Sequence, residues 1–157
     1  MSSTTVTKRT DRVRLCTYIS PKEGMSVEEF QDYWLNHHGK LFSSLAVVKR
    51  NVLKYEQVSI PPSTPLSLAF EKSKLTLRRR QFHINSKLTE PIVAQIPGYV
   101  PPPYNGMAIF EAESMEKIFE IFTDEEYLRL VRPDEEKFIS LMDAKFTAGT
   151  FATFIEA

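Results

Sequence analysis

The sequence predicts an α+β fold, a four-stranded antiparallel sheet with helices on one face. Three observations carry this. Strand-like and helix-like periodicities follow one another as β-α-β-(insert)-β-α-α-β over 157 residues, a length that suits one domain with its own core. The last segment, "KFTAGTFATFIE" (145–156), alternates strictly. Two Ser/Thr-x-x-Glu capping boxes, Ser26 with Glu29 and Thr123 with Glu126, stand where the order requires helices to begin.

Each element has its own local reason. "RVRLCTYI" (12–19) alternates and is rich in β-formers, so it is strand one, preceded by an expected disordered tail at 1–11. "SPKEGM" is a turn. A helix then starts at Ser26, with Met25 and Phe30 placed as a hydrophobic staple. Phe30, Trp34, His38 and Leu41 fall on one stripe of it, with His37 on the other margin, and Gly39 is placed to end or kink it in the left-handed conformation. "NVLKYEQVSI" (51–60) reads as strand two, with Leu53, Tyr55 and Gln57 on one face. The stretch 61–105 holds 8 of the 10 prolines and reads as an insertion carrying one helix in "LSLAFEKSKLTLRRRQ", with "GYVPPPYNG" as a proline-stiffened return. "GMAIFEAE" (106–113) is strand three. "SMEKIFEIF" (114–122) is a helix with Met115, Ile118, Phe119 and Phe122 as its apolar side. "TDEEYLRLV" restarts a helix that Pro133 is expected to break, and "DEEKFISLM" begins another. The order is the split βαβ, ferredoxin-like pattern. In strand four, Phe146, Ala148, Thr150, Ala152 and Phe154 share one face, and Phe151 and Ile155 the other. Both faces therefore want cover, which a homodimer with its two sheets packed face to face would supply.

Composition narrows the function. Lys+Arg and Asp+Glu are both 20, so there is no basic footprint for a whole-chain grip on nucleic acid. The run "LTLRRRQ" (75–81) reads as solvated surface. Cys16 is the single cysteine, which excludes an intrachain disulfide and fits a reducing compartment; on a strand with no base beside it, it reads as inert packing. The N-terminus lacks an apolar signal region and no apolar run spans a membrane, so a cytoplasmic protein is expected. No GxGxxG, P-loop or Ser-nucleophile elbow is present.

The chemistry-bearing residues cluster in "EEFQDYWLNHHGKL" (28–41), which holds the only Trp and two of three His. Adjacent helical histidines point about 100° apart, and metal pairs on helices sit at i and i+4, so no metal site is expected. His38, at a helix end facing the sheet, reads either as a proton shuttle or as a packing partner of Trp34. His37 reads as solvent-facing. Tyr18 and Tyr55 occupy alternating strand positions from which a phenol can donate to a developing enolate or phenolate oxygen; each also reads as an amphipathic core Tyr. Tyr104 in the prolyl loop and His83 in the insertion are placed to close over a ligand. Asp32 and Glu111 read as surface charges.

"MSVEEFQDYWLNHHGKL" resembles the first helix of the EthD-like proteins, dimeric α+β barrels, through Phe30, Trp34, His38, Gly39 and Leu41; Lys40 stands where that family often has Pro. "KYEQV" (54–58), "YNGMAIFEAES" (104–114) and "FTDEEYLRLVRPDEEKFI" (122–139) extend the resemblance, particularly to fungal members. The resemblance implies a ferredoxin-like dimeric α+β barrel over 12–157. Its founding type is an accessory protein beside an ether-degrading cytochrome P450. Other members look like decarboxylases or dehydratases of fungal aromatic polyketide pathways, working without cofactor or metal, and related barrels include cyclases and quinol-forming monooxygenases. The expectation is therefore a homodimeric, cofactor-free lyase or cyclase on a small aromatic or polyketide substrate. His38, Tyr18 and Tyr55 would be catalytic, and Trp34, His37, His83 and Tyr104 would bind substrate. The alternatives are a metabolite-binding or P450-accessory dimer and a cofactor-independent monooxygenase.

Overall fold

The computed structural model describes residues 7–60, 95 and 103–154. Among the described residues there are four strands, β1 (Thr7–Ile19), β2 (Lys54–Ser59), β3 (Gly106–Ala112) and β4 (Lys145–Thr153). They form one antiparallel sheet in the order β2-β3-β1-β4. Among the described residues the helices with full bounds are α1 (Val27–Tyr33), α2 (Gly39–Ser44), α3 (Ala46–Asn51), α4 (Met115–Thr123) and α5 (Arg132–Phe138). Two π-helical turns, Trp34–His38 and Tyr127–Val131, lead into α2 and α5. The predicted insertion helix, the three arginines at 78–80, His83 and Ile155 lie outside the described residues.

The sheet has two unlike faces, set by register. Tyr55, Phe110, Leu15 and Ala148 form one cross-strand row, and Gln57, Ala108, Thr17 and Phe146 the next. These rows face the helices and floor the core with Phe30, Trp34, Ile118, Ile121 and Phe138, all nearly fully buried. The opposite face carries Arg14, Cys16 and Tyr18 from β1 against Glu111, Ile109 and Met107 from β3. Glu111 is not the surface charge expected: it is buried and ion-paired to Arg12 at 2.8 Å and Arg14 at 2.9 Å. Burial pushes its carboxyl pKa up, but the two guanidinium hydrogen bonds outweigh that and hold it below the usual range.

Several local expectations hold and several shift. The Ser26–Glu29 capping box is complete, with Glu29 N–H donating to Ser26 Oγ at 3.2 Å and Ser26 N–H to Glu29 Oε2 at 2.9 Å. β1 begins at Thr7, so residues 7–11 are strand and not tail. Residues 51–53 precede β2, because Asn51 closes α3 and donates to Lys117 O at 2.9 Å and Glu120 Oε2 at 2.7 Å. Asp124, and not Thr123, caps the second helical stretch: its Oδ1 accepts from the Glu126 and Tyr127 N–H groups, while the Thr123 hydroxyl bonds back to Phe119 O and Glu120 O. Phe119 is largely exposed, and Ile121 takes its expected inward place in α4. Pro133 does not break the chain's helical course. It sits in the first turn of α5, where a missing N–H is tolerated.

Gly39 does not end its helix either. Its φ of −59° is ordinary helix, and the helix runs on through Lys40, which keeps the N–H that proline would lack. A Cβ at Gly39 would lie 2.9 Å from Gln57 Nε2 and 3.2 Å from Trp34 O, so glycine serves a close approach there and not a turn. The π turn explains a second shift. Gly39 N–H bonds to Trp34 O, five residues back, so the helix turns more slowly and a spacing of four stays on one side. The inward stripe is consequently Phe30, Trp34, His38 and Phe42, with Leu41 only half-buried. Trp34 packs its ring against the backbone of Gly106, where a Cβ would lie 2.6 Å from Trp34 Cζ3 and 3.1 Å from Ile19 Cγ1. Gly106→Ala is therefore expected to cost about 1–3 kcal/mol by overpacking, read as a lowered denaturation midpoint with an unchanged denaturant slope.

Candidate functional site

Between the helix-facing side of the sheet and the helices lies a cavity of about 470 Å³, within the range of small-molecule sites. Its floor is the two cross-strand rows from Leu15 to Ala148 and from Thr17 to Phe146, and its walls include Phe42, Phe122 and Leu128. Against this apolar lining stand six polar side chains: Thr17, His38, Tyr55, Tyr127, Arg132 and Glu135.

His38 ends the first π turn and is buried on the cavity wall, its ring 4.9 Å from that of Phe138. Its Nδ1 lies 3.0 Å from Asp134 Oδ2, and both side chains are under one-tenth exposed. Asp134 has two further donors on Oδ1, the Tyr33 hydroxyl at 2.6 Å and Lys137 Nζ at 3.1 Å. Burial pushes the Asp134 carboxyl up, yet the bonds from Tyr33, His38 and Lys137 outweigh it and hold the pKa below the usual carboxylate range. Asp134 is thus an anion, and Nδ1 carries the proton toward it. Nε2 has no hydrogen-bond partner among the described residues, and the ring lines the cavity. An orienting carboxylate behind a histidine is the arrangement that acid–base and nucleophile-activating sites share.

Tyr55 stands on β2 at the cavity floor, stacked on Phe110 at 5.2 Å with the Phe42 ring tilted against it at 4.9 Å. Burial pushes its phenol up to about 12. Its oxygen accepts from Gln57 Nε2 at 2.9 Å, and the Trp34 indole acts on the same oxygen. Its own proton has no acceptor among the described residues, so Tyr55 is a neutral phenol free to donate. Thr17 adds a buried hydroxyl that has no partner among the described residues, an orphan of the kind that a ligand or water ordinarily satisfies.

The other expected site residues fall elsewhere. Tyr18 is on the opposite sheet face, since Thr17 and Ile19 take the helix side; it pairs with Tyr104, ring centroids 5.5 Å apart, and neither reaches the cavity. His37 is exposed and stacks on Tyr33 at 5.1 Å over an outer groove. Trp34 does line the cavity, and it also stacks on Phe30 and presses on Gly106. Sequence reading missed Asp134, Tyr127, Glu135, Arg132 and Thr17. The available signal was "RPDEE" at a helix start, where acidic residues ordinarily serve the helix end. Among the described residues no group of three or more His, Cys, Asp and Glu side chains is placed to hold a metal, and no helix is long and apolar enough to cross a membrane.

A dimeric protein of unknown function with a ferredoxin-like fold from Bacteroides fragilis superimposes with a TM-score of 0.51 at 10% identity, covering 90% of this chain and 98% of that one. An ethyl tert-butyl ether D (EthD) family protein from Bacillus halodurans gives 0.51 at 12% identity, covering 88% and 96%. An EthD-like protein from Ralstonia eutropha gives 0.50 at 10% identity, covering 94% and 96%. At these identities the likeness shows the fold alone. No curated protein matches the chain. The EthD domain family matches residues 22–141, a span that runs from before α1 to beyond α5 and so includes His38, Tyr55 and Asp134. With most of its length inside that match, the chain belongs to the EthD domain family.

Proposed function

We propose that the protein is a cofactor-free proton-transfer enzyme, a lyase (decarboxylase or dehydratase) or cyclase, acting on a small oxygenated aromatic or polyketide intermediate of fungal secondary metabolism. The observation that carries the reading is the buried His38–Asp134 pair on the wall of an apolar cavity. In this reading the lone pair of His38 Nε2 takes a proton from the substrate and returns it: from a hydroxyl to the carbon that loses carbon dioxide, or from a carbon to the hydroxyl that leaves as water. Tyr55, held by Gln57, donates to the carbonyl or phenol oxygen as negative charge develops there. Decarboxylation needs protonation at carbon and a stabilised enol. Dehydration and aldol-type cyclisation need the same two groups. The dry walls strengthen both hydrogen bonds. We further infer a homodimer in the reducing cytoplasm. The exposed Phe146, near the start of β4, and Phe154, just past its end, support a partner, as does the dimeric state named for the Bacteroides fragilis protein.

The orphaned Thr17 hydroxyl in a largely apolar cavity also supports a second reading, a non-catalytic carrier of a hydrophobic metabolite. One experiment separates the two. The intermediate accumulated by a strain lacking the gene is incubated with wild type, His38→Ala and Tyr55→Phe, and its mass is followed by chromatography. Loss of carbon dioxide or water with wild type, reduced about a hundredfold or more in His38→Ala, is the expected result. Full turnover by His38→Ala would exclude the proton-shuttle role, and binding without any change of mass or retention time would favour the carrier.

A further inference from the structure

The mouth of the cavity carries a charge arrangement that the proton-transfer reading does not use. Among the described lining residues Arg132 is the one permanent cation and Glu135 the one acid. Arg132 Nη1 donates to Glu135 Oε2 at 3.1 Å, and Tyr127 Oη donates to Oε1 at 2.7 Å. Tyr127 is itself almost fully buried, and burial and the neighbouring Glu135 carboxylate both push its phenol pKa strongly upward, so its proton stays on that bond. The Glu135 side chain is 13% exposed and the Arg132 side chain 51%. The carboxylate is thus set into the wall while the guanidinium stands at the opening. Glu135 holds one of its nitrogens; Nε and Nη2 have no partner among the described residues. A guanidinium presents five N–H donors in a rigid fork that matches a carboxylate with two parallel bonds, so one edge can be anchored while the other receives a ligand. The approach past it is apolar, through the exposed Leu128 and Phe119.

We propose that Arg132 is a specificity determinant that takes the carboxylate of an organic acid whose apolar, aromatic body fills the cavity. Tyr127 and Glu135 are positioning residues: the first fixes the second, and the second fixes one edge of the guanidinium. The inference rests on the cavity being the ligand site argued above, and it stands whether that site performs chemistry or only carries its ligand. The plainer account is an i,i+3 pair that steadies the start of α5 and is indifferent to ligand charge.

The two accounts differ in a binding measurement. Trp34 is the only tryptophan and lines the cavity, so its single indole N–H resonance reports occupancy. The full chain is titrated with an ortho-hydroxy naphthoate and with its neutral carboxamide at neutral pH. The acid is expected to bind about tenfold tighter or better, the scale of hydrogen bonds to a charged group. That preference is expected to vanish in Arg132→Gln, to survive in part in Arg132→Lys, and to persist in Arg129→Gln, an exposed arginine outside the cavity lining. Equal binding of acid and amide by wild type, a preference that survives Arg132→Gln, or no shift of the Trp34 resonance with either compound would each overturn the proposal. His38→Ala belongs in the same series. It should keep the acid preference, so a failure of the catalytic reading leaves this result standing and a failure of this proposal leaves the turnover assay standing.

Discussion

Asp134→Asn is expected to lower turnover about a hundredfold or more while leaving the cavity able to bind its ligand. Asp134 does not line the cavity; it acts through His38, whose Nδ1 it holds at 3.0 Å. An amide in its place can present an N–H to Nδ1 as readily as an oxygen, and the imidazole then exchanges its tautomer, putting the proton on Nε2 where the lone pair is needed. The effect should therefore appear in kcat more than in KM, together with a changed pattern of His38 ring nitrogen shifts by NMR. A merely structural role would move neither the tautomer nor the kcat-to-KM balance. Stability should change too. Tyr33, His38 and Lys137 all donate to the buried carboxylate, so its loss is expected to cost about 3 kcal/mol at neutral pH. The sign of the pH dependence follows from the lowered pKa. The folded-state value lies below the unfolded one, so the carboxylate stabilises the fold above about pH 4, and that contribution is lost as pH falls through the folded value. Wild type and Asp134→Asn should accordingly converge in denaturation midpoint as the solution is acidified below pH ~4. A difference that stays constant down to strong acid would mean that Asp134 is not the ionised partner its surroundings describe.

Trp34→Ala is expected to be the most destabilising single change among the site residues, at about 3–5 kcal/mol. The side chain is 2% exposed, stacks on Phe30 with centroids 5.6 Å apart and presses on the backbone of Gly106. Its removal joins a new void to a cavity already of about 470 Å³, and little nearby can collapse into it. For a chain of this size the melting temperature should fall by roughly 10 °C or more. Trp34→Phe keeps an aromatic face for Phe30 but loses the indole that acts on the Tyr55 oxygen. It should lose clearly less stability while weakening any function that Tyr55 performs. Equal losses of stability in the two variants would remove Trp34 from its place as the packing anchor.

The local elements were legible from the chain because their causes are local. Two-residue alternation places Leu15, Thr17 and Ile19 on one side of β1 whatever lies above them, and Ser26 with Glu29 closes a capping box within four residues. The crowding of Trp34 and His38 on one helix was likewise readable, and both line the cavity. Parity alone leaves open which sheet side is which, and that choice separated the two tyrosines. Tyr55 shares its row with Phe110 and Leu15 under the helices, while Tyr18 lies opposite beside Met107, because strand pairing and helix packing assign the faces jointly. The π turns were equally hidden, since a helix that closes over five residues and one that closes over four are coded by nearly the same residues.

The sequence by itself determined the α+β order, the capped first helix, its inward Trp34 and His38, and the family to which these belong. Only the tertiary structure decided what His38 can do. Asp134 stands 96 residues further along the chain, in a helix start whose acidic residues look like ordinary end charges. What makes the pair a candidate site is burial and a 3.0 Å contact, which arise when the first π turn packs against α5 on the sheet. Charges so far apart in sequence acquire their meaning from the solvent they lose together and from the donors that replace it.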